Sequence, residues 1–301
     1  MVIIPGDRSN NRMCTQEASS SIERFSICIG GISCAIVSQQ GKFLDLLRTR
    51  YCWFESTVPV DYEIMVQVVP IKELEAERNT RRTLQINRMN SGDDYIIKRT
   101  DNPFEALVNI SSKRVLVKMW QNVYCFDSFL RMFFSLVVTS GGGLMLHASA
   151  VSNRKQGSVF FGPSGAGKTT IARLSEGRTI LTDELTIIRP HDGGYHVYGT
   201  PFWGEFTPGP SNARAALSGL YSLKKAKVNG LVPIDRAQAV MELYRCVLFF
   251  GNEAHLLSRI LDTCCSLVDA VPVYELHFLP HSSFWHVLDE RSQYERMYDA
   301  E

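Results

Sequence analysis

The sequence lacks the paired cysteines on which zinc sites and disulfide-rich scaffolds depend. Its 301 residues include eight cysteines, none in a CxxC arrangement, and the adjacent Cys264 and Cys265 lack the spacing of a zinc site. We therefore expect reduced cysteines, buried as small apolar side chains, and a reducing, cytoplasmic compartment. The first eleven residues carry Asp7 and Arg8 among several polar residues, and we expect no secretory signal there.

An excess of one charge and a long apolar run are also missing. The 32 basic and 31 acidic side chains give a net charge of +1, so the composition predicts neither a nucleic-acid nor a membrane partner. The longest apolar stretch, Phe129–Val151, is interrupted by Arg131, three consecutive glycines and His147. It is therefore not expected to form an uninterrupted membrane span. Internal repeats and low-complexity tracts are absent as well.

The pattern of apolar residues divides the chain into four parts. We expect residues 1–20 to be disordered, 21–120 to form a mostly antiparallel, β-rich accessory domain, 121–290 to form an α/β domain, and 291–301 to be a tail. The strands predicted in the β-rich part are Phe25–Ile29, Tyr62–Val69, Tyr95–Lys98, Ala106–Ile110 and Arg114–Met119.

The second half alternates strands and helices, which is typical of an α/β domain. Apolar residues at helical spacing predict a buried helix over Phe126–Val138, stopped by three glycines that begin at Gly141. The other predicted helices are Lys168–Ser175, Asp235–Tyr244 and Glu253–Ser266, and the predicted strands are Leu144–Val151, Ser158–Phe161, Thr179–Leu181, Tyr195–Tyr198 and Tyr274–Phe278.

A Gly-rich phosphate loop is the strongest chemical signal in the sequence. It matches GxxxxGK[ST] in full, follows a predicted strand and precedes a predicted helix, which is the context that such a loop requires. Its glycines allow backbone N–H groups to surround the phosphates of ATP, Lys168 is expected to reach the β- and γ-phosphates, and the Thr169 hydroxyl to ligate Mg²⁺. The predicted nucleotide-binding residues are Gly162, Pro163, Ser164, Gly165, Ala166, Gly167, Lys168, Thr169 and Thr170.

Two carboxylates follow the next predicted strand. Asp183 lies only 15 residues after Lys168, about one helix and one turn, so its strand is expected to lie close to the loop. In such a pair, one carboxylate ligates the metal and the other orients or deprotonates a nucleophile. The sequence leaves open which of Asp183 and Glu184 has which role, and taken alone the pair is an ordinary acidic turn. His147 lies on an apolar strand, where a histidine is usually a packed core residue, but its place before the loop makes it a catalytic candidate.

This set of motifs resembles the catalytic domain of the HPr kinase/phosphorylase family. The resemblance covers Leu144 to Leu288 and rests on the run Leu146-His147-Ala148-Ser149-Ala150-Val151, the phosphate loop and the early acidic pair. It implies an α/β fold of the HPr kinase / phosphoenolpyruvate-carboxykinase type, with a mostly β N-terminal region. It further implies that Asp183 is the catalytic base, that Glu184 helps to hold the metal, and that His147 assists the catalytic carboxylate.

The sequence departs from that family at several points. Thr169-Thr170 replaces the usual Ser-Glu after the lysine, and the C-terminal Gly- and Asn-rich signature is missing. These departures argue against HPr as the substrate and against phosphorylase activity. The family implies a serine of a protein or peptide as the acceptor, and it leaves a homo-oligomer open.

The sequence therefore predicts a magnesium- and ATP-dependent kinase with Asp183, His147 and Lys168 as catalytic residues and Thr169, Glu184 and Asp183 as metal ligands. Three alternatives stay open. They are a nucleotide-gated binding or scaffold protein with little catalysis, a small-molecule phosphotransferase, and a transporter-type ATPase. The last lacks support because an LSGGQ-like signature is absent.

Two further segments have open roles. Gly199–Glu205, with Thr200, Trp203 and Glu205, is either a substrate-facing loop at the rim of the site or a packing turn. The basic run Lys224–Lys227 is expected to be a solvated helix end or loop.

Overall fold

The computed structural model describes residues 22–75, 84–89, 92–204 and 211–298. The expected disorder of residues 1–20 lies outside this part of the chain. Within it the protein is a mixed α/β structure with two sheets.

The first sheet is built from the β-rich part of the chain. Its strands are β1 (Glu23–Ile29), β2 (Ile32–Ser38), β3 (Tyr62–Val68), β4 (Leu84–Met89), β5 (Asp94–Arg99), β6 (Phe104–Asn109) and β7 (Arg114–Met119). They lie in the order β1-β2-β3-β7-β6-β5-β4. The pairings β2–β3 and β3–β7 are parallel and the others along this order are antiparallel. The sequence predicts a mostly antiparallel region and does not predict the two parallel pairings. Two helices, α1 (Gly41–Arg50) and α2 (Ile71–Glu75), lie in the connections.

The strands of this sheet form because one face is apolar. In β3, Tyr62, Ile64 and Val66 are buried and alternate with polar or exposed neighbours, which is the period of a half-buried strand. The β1–β2 hairpin closes with Gly30 and Gly31, both at positive φ (60° and 72°), as a tight two-residue turn requires.

Helix α3 (Val123–Ser140) packs between the two sheets. The Asn122 side chain caps it by accepting from the backbone N–H groups of Tyr124 and Cys125, and its phenylalanines are buried in the larger hydrophobic cluster. By length and composition this helix could cross a membrane, but 72% of it is buried inside the fold. It is therefore a core helix, and the apolar stretch noted in the sequence begins in it and continues into β8.

The second sheet contains the predicted α/β motifs. Its strands are β8 (Leu144–Asn153), β9 (Gln156–Phe161), β10 (Thr179–Thr182), β11 (Leu185–His191), β12 (Gly194–Tyr198), β13 (Arg214–Lys225), β14 (Gly230–Pro233) and β15 (Val273–Phe278). The order is β10-β8-β11-β12-β13-β15-β14, and β9 pairs with both β8 and β13. The helices are α4 (Lys168–Arg173), α5 (Arg236–Tyr244), α6 (Ala254–Ala270) and α7 (Phe284–Tyr298).

Two predicted domain boundaries and the predicted basic run can be compared with the structure. The predicted domain boundary near residues 119–126 falls where β7 ends and α3 begins. Helix α7 includes residues 291–298, the start of the expected tail. The expectation for the basic run is wrong for Lys224 and Lys225, which belong to β13, where Lys224 forms ion pairs with Glu242 and Glu275.

Candidate functional site

The phosphate loop follows the last residue of β9, in the middle of the second sheet. Strand β9 pairs antiparallel with β8 and parallel with β13, so the loop emerges at the carboxyl end of two adjacent parallel strands. Ala166 N donates to Pro163 O (3.1 Å), which folds the loop back on itself, and α4 begins at Lys168 directly after Gly167. Crevices at such strand ends are where α/β folds bind ligands.

The ammonium group of Lys168 is buried against the loop. The residue is 7% exposed, and its Nζ donates to the carbonyl oxygens of Gly162 (3.0 Å) and Pro163 (3.1 Å). Burial lowers the pKa of Lys168, and no carboxylate in the described part of the chain forms an ion pair with it. Because a buried charge normally has a counter-charge, this arrangement fits an anion bound in the loop.

The acidic pair lies at an irregularity between two strands. Strands β10 and β11 both pair with β8, and the register shifts between Ile180 and Thr182. Asp183 and Glu184 occupy the two-residue bend that separates β10 from β11. Such irregularities re-aim side chains, and here the bend turns both carboxylates towards the phosphate loop.

Asp183 is almost completely buried. It is 2% exposed, and its Oδ1 accepts from the backbone N–H of Gly204 (2.9 Å). A Cβ atom at Gly204 would lie 2.9 Å from Oδ2 of Asp183, so only glycine allows this close approach without displacing the carboxylate. The segment after β12 therefore fixes the position of Asp183.

Glu184 is held by a different partner, which the motif does not include. Arg131 on α3 donates from Nη1 to Oε1 of Glu184 (3.1 Å) and from Nε to Oδ2 of Asp127 (3.2 Å). Both side chains of the Arg131–Glu184 pair are partly exposed. The remaining oxygen of the Glu184 carboxylate, Oε2, is not part of this ion pair.

His147 lies on β8 between the loop and the acidic pair. The strand register places it opposite Leu185 of β11, and its neighbour Ala148 opposite Phe161 of β9. Its side chain is exposed. Although the residue remains exposed, desolvation of the ring by the surrounding protein, and then the positive charge of Lys168, lower the pKa of His147 below its ordinary value of 6.5. The imidazole is therefore neutral at pH 7 and able to accept a proton.

These groups line one cavity of about 320 Å³. All predicted catalytic residues and metal ligands contribute to it, whereas Gly162, Pro163 and Ala166 of the loop do not line it. The lining residues are His147, Ser164, Gly165, Gly167, Lys168, Thr169, Thr170, Asp183, Glu184 and Gly204.

The oxygen atoms at this cavity are suited to Mg²⁺. The Thr169 hydroxyl and the two carboxylates are hard oxygen donors, which this ion prefers. Among the described residues, no three Asp, Glu, His or Cys side chains form a cage that would hold a metal ion. Mg²⁺ needs no such cage, since it commonly binds one or two carboxylates together with water and substrate phosphates.

The sequence left open whether the segment Gly199–Glu205, after β12, is a packing turn or a loop at the rim of the site, and its described part does both. Thr200 is fully buried and donates to the carbonyl oxygen of Leu185 (2.6 Å), so this part is a packing turn and not a rim. Gly204, four residues later, belongs to the cavity lining. Trp203 is partly buried, and the predicted position of Glu205 lies outside the described residues.

Three residues of the site were missed by sequence reasoning: Arg131, Asp127 and Gly204. A local signal existed for the first two, because they are charged residues four apart on an otherwise apolar helix. Gly204 lies in the loop that the sequence did single out, yet nothing local marks it as the partner of Asp183.

The fold and the site together define a mixed α/β protein whose phosphate loop and acidic pair meet at one cavity of the second sheet. A family model described as SynChlorMet cassette protein ScmC matches residues 108–292. That is more than half of the chain, so the protein belongs to this family. No curated protein matches the sequence.

This match corrects the family resemblance inferred from the motifs. The matching family is not the HPr kinase/phosphorylase family, and the assignment to that family is wrong. The motifs misled because a phosphate loop and a nearby acidic bend are short local features that different families share. Roles implied only by that resemblance therefore need support from the site itself.

Proposed function

We propose that this protein is an ATP-dependent kinase that transfers the γ-phosphoryl group of MgATP to a hydroxyl group. One observation carries the proposal: a phosphate loop with a buried lysine and a pair of carboxylates line the same cavity. The pair can supply both a ligand for the magnesium of MgATP and a second carboxylate beside the phosphates. Phosphoryl transfer needs both a phosphate cradle and a group that orients the attacking oxygen.

The nucleotide would be held by the loop backbone and by Lys168. The lysine has carbonyl oxygens but no carboxylate as partners in the described structure, so bound phosphates would supply its missing counter-charge. Thr169 and Glu184 are the proposed ligands of the magnesium ion that accompanies ATP. When bound, this ion neutralises charge on the phosphate oxygens.

The proposed transfer step uses Asp183 as the base. The acceptor oxygen forms a bond to the γ-phosphorus, the bond from the γ-phosphorus to the oxygen shared with the β-phosphate breaks, and ADP leaves. The proton of the acceptor hydroxyl passes to the Asp183 carboxylate. The backbone N–H of Gly204 holds that carboxylate in place, and His147, neutral at pH 7, is the candidate to relay the proton to solvent. Most of the acceleration would come from positioning.

A serine of a protein or peptide is the acceptor that we propose. Asp183 is only 2% exposed, which favours a primary alcohol on a flexible chain segment over a hydroxyl on a bulky ring. We propose no nucleic-acid or membrane partner, and we leave a homo-oligomer open. The seven cysteines that the structure describes are free thiols, which supports a reducing, cytoplasmic location.

Transfer of label from γ-labelled ATP tests the function. Purified wild-type protein and Lys168→Ala would be incubated with ATP alone, with a serine-containing peptide library, and with lysate of the source organism. We expect a labelled serine in a peptide or protein with the wild type and none with the variant. Label on a small metabolite would mean that the acceptor is a small molecule and not a peptide. Nucleotide binding without transfer in any mixture would contradict the kinase.

The burial of Asp183 favours one second candidate, a nucleotide-gated binding protein with little catalysis. A carboxylate that is 2% exposed meets an acceptor only if its surroundings open. In that case Lys168→Ala would abolish ATP binding, and Asp183→Asn would leave partner binding and its response to ATP unchanged.

A further inference from the structure

Arg131 reaches the candidate site from outside the motif residues. It lies on α3, which precedes β8 in the chain, and it pairs with Glu184 53 positions later. It does not line the cavity that the phosphate loop and the acidic pair share.

The guanidinium group of Arg131 is held on three sides. Its Nε bonds Asp127 one helical turn earlier (3.2 Å), its Nη1 bonds Glu184 (3.1 Å), and its plane lies over the Phe202 ring at 5.3 Å from the ring centre. Phe202 is fully buried and lies two residues before Gly204, which binds Asp183. Both carboxylates of the acidic pair are thus anchored by one packed group of residues.

Asp127 continues this chain of contacts into the N-terminal part of the protein. It is 7% exposed, and its Oδ1 accepts from the Tyr51 hydroxyl (3.0 Å) and from Nη2 of Arg50 (3.3 Å). Tyr51 is fully buried and packs edge-on against Phe126 of α3 at 5.8 Å. The contacts therefore run from Tyr51 through Asp127 and Arg131 to Glu184.

We propose that Arg131 is a positioning residue that sets the affinity of the site for Mg²⁺, and that Asp127 and Tyr51 hold it in place. This inference rests on the proposed function, in which Glu184 ligates the magnesium of MgATP. Arg131 fixes one oxygen of the Glu184 carboxylate, Oε1, and so presents Oε2 to the metal. Residues that hydrogen-bond a metal ligand in this way usually affect metal affinity about 10–100-fold. The β-rich N-terminal region thereby becomes a structural part of the site.

The experiment measures binding of a non-hydrolysable ATP analogue as Mg²⁺ is titrated, for wild type, Arg131→Met and Arg131→Lys. We expect the Mg²⁺ concentration that gives half of the maximal increase in analogue affinity to be about tenfold higher for Arg131→Met than for wild type. The affinity for the analogue without Mg²⁺ should change little. Arg131→Lys, which keeps the charge but can bond fewer partners, should recover part of the loss.

Two further variants separate positioning from a general loss of structure. Arg99→Met removes an arginine that also bonds α3, at Ser128 (3.3 Å), but does not reach the site, and it should leave the Mg²⁺ dependence unchanged. Tyr51→Phe keeps the ring contact and removes the bond to Asp127, and it should raise the required Mg²⁺ less than Arg131→Met does. Thermal unfolding of each variant reports whether it is folded.

The outcomes distinguish this inference from the proposed function. An unchanged Mg²⁺ requirement in folded Arg131→Met overturns the positioning role. A lowered requirement also overturns it, because it would mean that the Arg131 charge competes with Mg²⁺ for Glu184. If Mg²⁺ has no effect on analogue binding by the wild type, Glu184 does not ligate the metal, and the positioning role of Arg131 is overturned as well. Wild type that fails to bind the analogue at all overturns both this inference and the proposed kinase.

Discussion

At the residue scale, both the backbone conformation and the packing at position 167 require glycine. Its φ is +113°, and a Cβ atom there would lie 2.5 Å from Cζ of Phe278, a contact that side chains do not make. Any other residue would have to shift Phe278 or the loop, and with it the N–H groups that we propose bind the phosphates of ATP. The last glycine of the motif is therefore fixed by packing against β15 as well as by backbone conformation.

We predict that Gly167→Ala lowers the free energy of unfolding by about 1–3 kcal/mol and abolishes or strongly weakens ATP binding. Urea unfolding and nucleotide titration measure the two effects. Gly193→Ala is the matched control, because Gly193 has a φ of +79° with open space around it. It should cost about 1 kcal/mol and leave ATP binding unchanged. Normal ATP binding by Gly167→Ala would contradict this account of the loop.

His147 has a pH dependence whose direction follows from its surroundings. Its pKa in the folded protein is below 6.5, so as the pH falls the unfolded chain takes up a proton first. The neutral ring therefore contributes stability above the unfolded pKa, and this contribution is lost as the pH falls through 6.5 towards the folded pKa. We predict that, from about pH 7.5 to about pH 5.5, wild type loses more unfolding free energy than His147→Gln. Parallel urea titrations at both pH values measure this, and equal losses would refute it.

At the scale of elements, α3 depends on the residue that precedes it, Asn122. The Asn122 side chain accepts from the N–H groups of Tyr124 (2.7 Å) and Cys125 (3.3 Å), two of the first N–H groups of the helix. We predict that Asn122→Ala lowers the free energy of unfolding by about 1 kcal/mol, while Asn122→Asp, which keeps the acceptor, stays near wild type. Urea unfolding decides between them, and an alanine variant as stable as wild type would show that the cap is dispensable.

The elements that the sequence predicts well are those with one buried face. The predicted strand Arg114–Met119 agrees with β7 at both ends, and the predicted helix Glu253–Ser266 overlaps α6. In these elements burial alternates or repeats with the helical period, so the pattern is visible in a single sequence.

Elements without such a pattern were not predicted. Six of the seven residues of β2 are buried, so the strand shows no alternation, and β13 mixes serines, a glycine and lysines that read as loop. The residues of the site likewise fall into those that a local pattern predicts and those that only the fold brings together. The loop and the acidic pair are local motifs, whereas the Arg131–Glu184 pair joins residues 53 positions apart, which only the packing of α3 reveals.

At the scale of the whole molecule, both sheets share one hydrophobic cluster. Phe25 and Val117 of the first sheet, Phe133 of α3 and Ile187 of the second sheet belong to it, and each is nearly or fully buried. Because α3 packs on both sheets, unfolding of either sheet would expose part of this shared cluster.

We therefore predict a single unfolding transition, with coincident urea curves from circular dichroism and tryptophan fluorescence. Phe133→Ala should lower the free energy of unfolding by about 3–5 kcal/mol and keep the transition single. Leu46→Ala, at a residue that is 53% exposed, is the control and should change stability by less than about 0.5 kcal/mol. Two separated transitions in wild type would mean that the β-rich part and the phosphate-loop part fold independently.

The central claim is that Asp183 acts in phosphoryl transfer from ATP bound at the loop. The most direct measurement is single-turnover transfer at saturating MgATP, comparing wild type with Asp183→Asn, which keeps an acceptor for the Gly204 N–H. The account predicts a rate lower by about 10²–10⁴-fold in the variant, with unchanged ATP affinity. Equal transfer rates in the two proteins would contradict it.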